Sequence, residues 1–313
     1  MQSRELGKSG LTIAPLVLGT NVFGWTIDEK TSFAILDAFV DAGFNAVDTA
    51  NSYSRWIPGH AGGESETIIG NWVKRSGKRG RLVIATKVGS DMGEGQTVRE
   101  AAILKEAEAS LRRLQVETID LYQTHFDDET TPVEETLGAY AQLIAQGKVR
   151  AIGASNISPQ RLKASLDASA RDGLPRYETL QPNYNLYNRT DFERDYAAIC
   201  RDNDLAEIPY YGLAAGFLTG KYRSAADADK NPARGARVKG YLNDRGFAIL
   251  RAMDGVAARH NATLAQIALA WLMAKVTAPI ASATSLTQLA DIMAAPRLKL
   301  SGEDIAALDK ASA

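Results

Sequence analysis

The chain has 313 residues, 45% hydrophobic and 23% charged, an ordinary globular composition at a length that suits either two average domains or one large α/β barrel. A formal net charge of −1 argues against a nucleic-acid partner, and no stretch approaches the roughly 18 apolar residues of a membrane span. Met1 to Lys8 carries Arg4, Glu5 and Lys8 with no apolar run behind it, so no signal peptide is expected, and a single cysteine fits a cytoplasmic protein. In chain order, residues 5–6 and 11–13, joined through Lys8, Ser9 and Gly10, read as a two-stranded hairpin lying on the bottom of the main fold. Short apolar runs then alternate with helix-length amphipathic segments. The strand candidates are 15–19, 44–48, 82–86, 119–123, 149–153, 178–181, 206–209 and 278–281. Their near-continuous apolar character is that of parallel strands buried on both faces. Helix candidates fall at 30–42, 64–75, 98–114, 133–146, 158–171, 190–203, 242–275 (broken near 260–262), 286–295 and 301–310. Ser158 before Pro159 fits an N-cap with proline at the first helical position, and Thr263 with Gln266 fits a capping box. Cys200 reads as a buried filler on the 190–203 helix.

Eight βα units in a row predict a closed (β/α)8 TIM barrel with an N-terminal β-hairpin and a C-terminal helix, one domain over 1–313. An open doubly wound sheet is the competing arrangement. Three long connections, 51–63, 89–97 and 222–240, all come after strands and so fall on the C-terminal face, where barrel enzymes build their sites.

Four polar residues lie at or just beyond consecutive strand ends: Asp48, with Tyr53 five residues on, then Lys87, then His125. Singly, each has a bland reading, as an N-cap, a loop aromatic or a solvated strand end. Together they form a coherent acid–base set. Carbonyl reduction needs a hydride on carbon and a proton on oxygen. A phenol with a pKa of about 10 donates poorly near neutrality unless a neighbouring ammonium stabilises the phenolate. Lys87 supplies that charge, Asp48 keeps it charged and aimed, and His125 orients the carbonyl. The hydride must come from a cofactor.

Here the sequence resembles the aldo-keto reductase superfamily over nearly its whole length. The resemblance rests on Phe44-Asn-Ala-Val-Asp-Thr-Ala-Asn-Ser-Tyr53 with Gly63-Glu-Ser-Glu66, on Val83-Ile-Ala-Thr-Lys87 and on Ile119-Asp-Leu-Tyr-Gln-Thr-His125. Gly147-Lys-Val-Arg-Ala-Ile-Gly-Ala-Ser-Asn156 is similar to the family's fifth strand, and Gly216-Phe-Leu-Thr-Gly-Lys-Tyr222 to the branch holding bacterial general reductases and potassium-channel β subunits. The resemblance implies a dinucleotide lying extended across the barrel mouth. Ser155, Asn156 and Gln181 would contact the nicotinamide amide, and Tyr210 would stack on the ring. Gly212, Leu213, Gly216 and Lys221 would line the pyrophosphate, and Gly19, Thr20 and Asn21 would border the ribose, beside Asp48.

The departures bear on specificity. Tyr210-Tyr211-Gly212-Leu213 replaces the family's Tyr-Ser-Pro-Leu. The eighth strand exits as Ser282-Ala-Thr284, then Gln288-Leu289 and Asp291-Ile292, where the family often has Gly-x-Arg, Gln-Leu and Glu-Asn. That arginine normally clamps the 2′-phosphate of NADPH. Its absence here predicts weaker cofactor discrimination; NADP(H) is still expected on family habit, with NAD(H) as the alternative and Ser282, Thr284, Gln288 and Asp291 at the adenosine end. Phe23, Trp25, Trp56 and Ile57 are expected to wall the substrate pocket beside Tyr53 and His125, with Met92 from the third-strand loop. Only the short 297–313 segment comes after the last barrel helix, so bulky ketones or sugars are expected to enter as well as small aldehydes. A cofactor-binding regulatory subunit is the alternative role. A metal-dependent hydrolase is weaker, because His60, His125 and His260 show no ligand spacing and no metal is expected. The partner is a small carbonyl or alcohol, and monomer and homo-oligomer both remain open.

Overall fold

The structure, a computed structural model, describes residues 2–93, 95–229 and 235–313. Strands β1 (Arg4–Glu5) and β2 (Thr12–Ile13) pair antiparallel as a hairpin. The barrel is built from β3 (Val17–Gly19), β4 (Ala46–Asp48), β5 (Val83–Val88), β6 (Ile119–Thr124), β7 (Val149–Ser155), β8 (Tyr177–Gln181), β9 (Ala206–Glu207) and β10 (Ile280–Ala281). These eight strands run parallel in the order β10-β3-β4-β5-β6-β7-β8-β9. Two backbone bonds, from Ala278 N to Glu207 O at 3.1 Å and from Ile280 N to Pro209 O at 2.9 Å, join the ends and close the ring. The fold is a (β/α)8 barrel, and the open doubly wound sheet is excluded.

The outer helices are α1 (Glu29–Asp41), α2 (Glu64–Ser76), α3 (Glu100–Leu114), α4 (Val133–Ala145), α5 (Pro159–Asp172), α6 (Ala197–Asp202), α7 (Ala225–Asp229), α8 (Gly235–Lys239), α9 (Asp244–His260), α10 (Leu264–Met273), α11 (Leu286–Ala294) and α12 (Gly302–Ser312). Caps set several boundaries. Ser158 accepts from Arg161 N with Pro159 at the first position of α5, and Thr263 with Gln266 makes the expected capping box on α10. Asn261, at φ +47°, ends α9 where the break near 260–262 was expected. Three segments differ from expectation. The 190–203 helix opens with a wider π turn at Phe192–Tyr196 before α6. The 222–240 connection carries α7 and α8, and its residues 230–234 lie outside the described residues. In the hairpin, Leu6 and Leu11 lie between the paired residues and are buried. With Ile13 they plug the barrel floor.

Strand alternation places the site. Val17, Ala46, Ala85, Leu121, Ala151, Ala206 and Ala278 form one buried cluster with the hairpin leucines inside the barrel. Two residues further along, the same inward rows carry Asp48, Lys87 and Gln123, all buried. An apolar floor thus supports a polar layer at the C-terminal mouth. The opposite strand faces pack on the helices in a second, larger cluster that includes Cys200. That thiol is fully buried and burial pushes its pKa up, so it has no nucleophilic character.

Candidate active site

At the centre of the mouth, the Lys87 ammonium places its three N–H groups on Asp48 Oδ2 (2.6 Å), Thr49 O (2.8 Å) and Tyr53 Oη (2.8 Å). Lys87 and Asp48 are both buried, so each depends on the other for its charge. Asp48 Oδ1 accepts from Gln181 Nε2 (2.8 Å) and Gln123 Nε2 (3.2 Å), which saturates the carboxylate. Tyr53 Oη lies 3.3 Å from Asp48 Oδ2 and donates to it. Thr49 is held in turn by Ser65, whose hydroxyl reaches Thr20. Asp48, Lys87, Tyr53 and His125 are thus brought to one place. The Tyr53 and His125 rings meet edge to face, with centroids 6.0 Å apart.

Burial draws the Lys87 ammonium down from its ordinary value, and Asp48 opposes that shift. For Tyr53 the expected lowering of the phenol pKa does not occur. Burial first, and then the Asp48 charge, push it well above its ordinary value. The resting phenol therefore keeps its proton. Burial and the Lys87 charge hold the His125 imidazole well below its ordinary value, so it is neutral at physiological pH.

A cleft of about 1100 Å³ runs from these residues across the mouth. Its walls include Gly19, Asn21, Ser155, Asn156, Gln181, Tyr210, Gly212, Leu213, Gly216, Lys221, Ser282, Thr284, Gln288 and Asp291, as expected from the sequence. Tyr210 Oη donates to Asn156 Oδ1 (3.0 Å), and Asn156 Nδ2 to His125 O (2.7 Å), which ties the ring of Tyr210 to the His125 end of the cleft. Ser282 Oγ donates to Asn21 Oδ1 (2.8 Å) across the β10–β3 seam. A Cβ on Gly19 would stand 2.8 Å from both Ile280 Cγ2 and Ser282 Oγ, so glycine keeps that part of the wall low. Ala214, Ala215 and Gly216 all have positive φ, turning the backbone into a concave bend beside Lys221. A bend of this kind, with Lys221 beside it, is a shape that can take an anion.

Five residues lie elsewhere than expected. Phe23 is fully buried in the main core, and Phe23 N bonds to Thr20 O in the turn after β3. Thr20 does not line the cleft; its hydroxyl donates to Asp48 O (2.9 Å). Trp25 stands behind Trp56 at 5.4 Å, and Ile57 and Met92 also lie outside the wall. Trp56 and His125 do line it. Gln123, Ser52, Arg55, Phe126 and Arg237 were not expected at the site, and all but Gln123 stand in the wall. The alternation 121, 123, 125 along β6 would have revealed Gln123. Arg237 sits over the Tyr211 ring at 4.9 Å and belongs to the basic 222–240 connection, but nothing local marks it. Among the described residues, no cluster of His, Cys, Asp or Glu could hold a metal ion, and no helix is long and apolar enough to cross a membrane.

With this geometry in view, comparison with known proteins is specific. The model of the Aldo/keto reductase family matches residues 15–313. Aldo-keto reductase YhdN of Bacillus subtilis (strain 168) is 32% identical over 296 residues, covering 90% of this chain and 84% of the relative. Uncharacterized oxidoreductase YrpG of the same organism is 34% identical over 314 residues, covering 97% and 93%. L-glyceraldehyde 3-phosphate reductase of Escherichia coli O157:H7 is 32% identical over 324 residues, covering 99% and 92%. The chain therefore belongs to the aldo/keto reductase family of carbonyl oxidoreductases.

Proposed function

We propose that this protein reduces the carbonyl of a small aldehyde, ketone or keto-sugar, or oxidises the matching alcohol, with Tyr53 as general acid. The carrying observation is the Lys87 ammonium, bonded at once to Asp48, Thr49 O and the Tyr53 hydroxyl at the cleft mouth. A nicotinamide dinucleotide, when bound, supplies the hydride. Ser155, Asn156, Gln181 and Tyr210 would hold its nicotinamide end. Gly212, Leu213, Gly216, Lys221 and Arg237 would hold the diphosphate, and Ser282, Thr284, Gln288 and Asp291 the adenosine end. The chain's own residues then manage the proton. A carbonyl oxygen entering beside Tyr53 accepts from the phenol and from the neutral His125. As the phenol proton leaves, the Lys87 ammonium stabilises the phenolate, and Asp48, held by Gln123 and Gln181, keeps Lys87 charged.

NADP(H) is the favoured cofactor on family grounds, but discrimination against NAD(H) should be weak. Thr284 stands at the eighth-strand exit, and its N–H and hydroxyl both donate to Gln288 Oε1 at 2.9 Å. The cations among the described lining residues are Arg55, Lys221 and Arg237, none of them on the β10–α11 segment. For the substrate, Trp56 and Phe126 offer half-exposed aromatic walls. The Arg55 guanidinium joins them, with Asp91 close enough to feel its charge. That cation favours a carbonyl compound bearing a carboxylate or phosphate, in keeping with the name of the Escherichia coli relative. The test is steady-state oxidation of NADPH and NADH against a panel of neutral and anionic carbonyls, with Tyr53→Phe as the control. Turnover that survives in Tyr53→Phe, or no turnover on any carbonyl, would overturn the reading.

A further inference from the structure

The loops after β4 and β5 bring together a hydroxyl pair, Ser52 and Ser90, whose side-chain partner beyond itself, among the described residues, is His125. Ser90 Oγ lies 2.9 Å from His125 Nδ1, and Ser52 Oγ donates to Ser90 Oγ at 3.1 Å. The backbone aims Ser90 at the ring. His125 N donates to Val88 O (2.7 Å), and Gly89 then turns the chain at φ +106°, where a Cβ would stand 2.6 Å from Phe126 O. Only glycine fits that turn, so Ser90 is directed back along the strand end toward the imidazole. Phe126 stacks on the His125 ring at 4.6 Å and Tyr53 meets it edge-on, which fixes the ring plane. Neither neighbour decides which nitrogen carries the proton.

The hydroxyl pair is placed to bias it. A serine hydroxyl has one proton and accepts through its lone pairs. Ser90 Oγ accepts from Ser52; were it also to accept from an Nδ1–H, its own proton would have no acceptor among the described residues, so the bonding favours donation to Nδ1. With Ser90 donating, His125 Nδ1 is an acceptor and the single proton of a neutral imidazole sits on Nε2. Nε2 has no partner among the described residues and is not among the buried unsatisfied atoms, so it opens on the cleft that His125 lines. We propose that Ser90, supported by Ser52, is a positioning residue that locks His125 in the Nε2–H tautomer and so presents a hydrogen-bond donor to the substrate carbonyl. The opposite tautomer would present a lone pair to the carbonyl oxygen and repel it.

This inference rests on the proposed role of His125 as carbonyl donor, and the experiment separates the two. The chain has three histidines, His60, His125 and His260, so ¹⁵N-labelled imidazole signals are assignable with one His→Gln variant for each. The full-length protein with NADP⁺ added is compared with Ser90→Ala, Ser90→Thr and Ser52→Ala. In the wild type, His125 should show a protonated Nε2 and a bare Nδ1. In Ser90→Ala the two forms should mix, kcat should fall by roughly ten- to a hundred-fold, less than the roughly 10²–10³-fold of a donor removed outright because part of the population keeps the Nε2–H form, and dinucleotide affinity should hold. Ser90→Thr keeps the hydroxyl and should restore both signal and rate. Ser52→Ala should mix the tautomers less. A His125 that stays wholly Nε2–H in Ser90→Ala, or is Nδ1–H in the wild type, would overturn the role of Ser90. Mixed tautomers at undiminished kcat would leave the lock in place and overturn His125 as carbonyl donor.

Discussion

Tyr53 holds its proton at rest because burial and Asp48 raise its pKa, and in the proposed reduction it would give that proton up with Lys87 placed to stabilise the phenolate. Tyr53→Phe should therefore lower kcat by at least about 10²-fold while leaving dinucleotide affinity within about two-fold, since the hydroxyl matters in the transition state alone. Fluorescence titration beside steady-state kinetics checks both halves. Lys87→Met removes the charge that favours the phenolate, so the Tyr53 pKa rises further. Alcohol oxidation needs the phenolate as base, so its pH–rate profile should move to higher pH, and reduction should slow. An unmoved profile with a modest rate loss would leave Lys87 only a structural role. Arg55→Met should raise KM for carboxylate- or phosphate-bearing carbonyls by roughly ten-fold, within the range of charge-assisted hydrogen bonds, and barely change neutral ones. Equal effects on both classes would remove Arg55 from substrate recognition. Asp48, Lys87 and His125 were legible because strand parity sends alternate residues inward. Phe23 and Trp25 were misplaced because their loop has no such period to tell which ring goes down.

Helix and strand order could be read from the chain because apolar runs, caps and breakers agree along most of it. Ser158, Thr263 and Ser301 each begin a helix where a side-chain oxygen can accept an orphan N–H. Barrel closure was less legible, since β9 and β10 are two residues each and join through bonds from Ala278 and Ile280 that no local pattern announces. The cap of α12 ties an element's stability to pH. Asp304 accepts from Ser301 N and Oγ, from His260 Nε2 (2.8 Å) and from Arg259. His260, then Arg259 and Ser301, hold its carboxyl well below the ordinary range. A depressed folded-state pKa stabilises the fold above the unfolded value of about 4 and loses that contribution as pH falls toward the folded value. Asp304→Ala should therefore cost about 1–3 kcal/mol near neutrality, and the gap to wild type should narrow below about pH 4. Urea unfolding over a pH series checks it. A gap that persists at acid pH would mean that packing, not the carboxylate, anchors α12.

Across the whole molecule, one cleft links Tyr53 to the β10–α11 segment on the far side of the barrel mouth. A dinucleotide lying along it would touch the exits of β3, β7, β8 and β10 and the turn after β9, which otherwise meet only through the barrel. Binding should thus stabilise the fold as a unit, by about 2.7 kcal/mol at a ligand concentration a hundred times Kd. The size of that effect with each dinucleotide reads cofactor preference directly, without turnover. At the adenosine end Asp291 is engaged by Gln266 Nε2 (2.7 Å) and Thr263 Oγ1 (2.8 Å), and Thr284 is folded onto Gln288. These contacts supply hydrogen-bonding groups and no cation for a 2′-phosphate. NADPH and NADH should consequently give similar thermal shifts at equal concentration. Thr284→Arg introduces a planar cation beside the position a 2′-phosphate would take, and one charge-assisted bidentate contact is worth about 1.5–3 kcal/mol. The variant should tighten NADPH by roughly ten- to a hundred-fold and leave NADH nearly unchanged, both in melting temperature and in Kd from fluorescence titration. If the NADPH-to-NADH ratio does not move, the β10–α11 segment does not meet the 2′ position, and the adenosine must lie along a different wall of the cleft. Lys221 and Arg237 would then be the next cations to substitute.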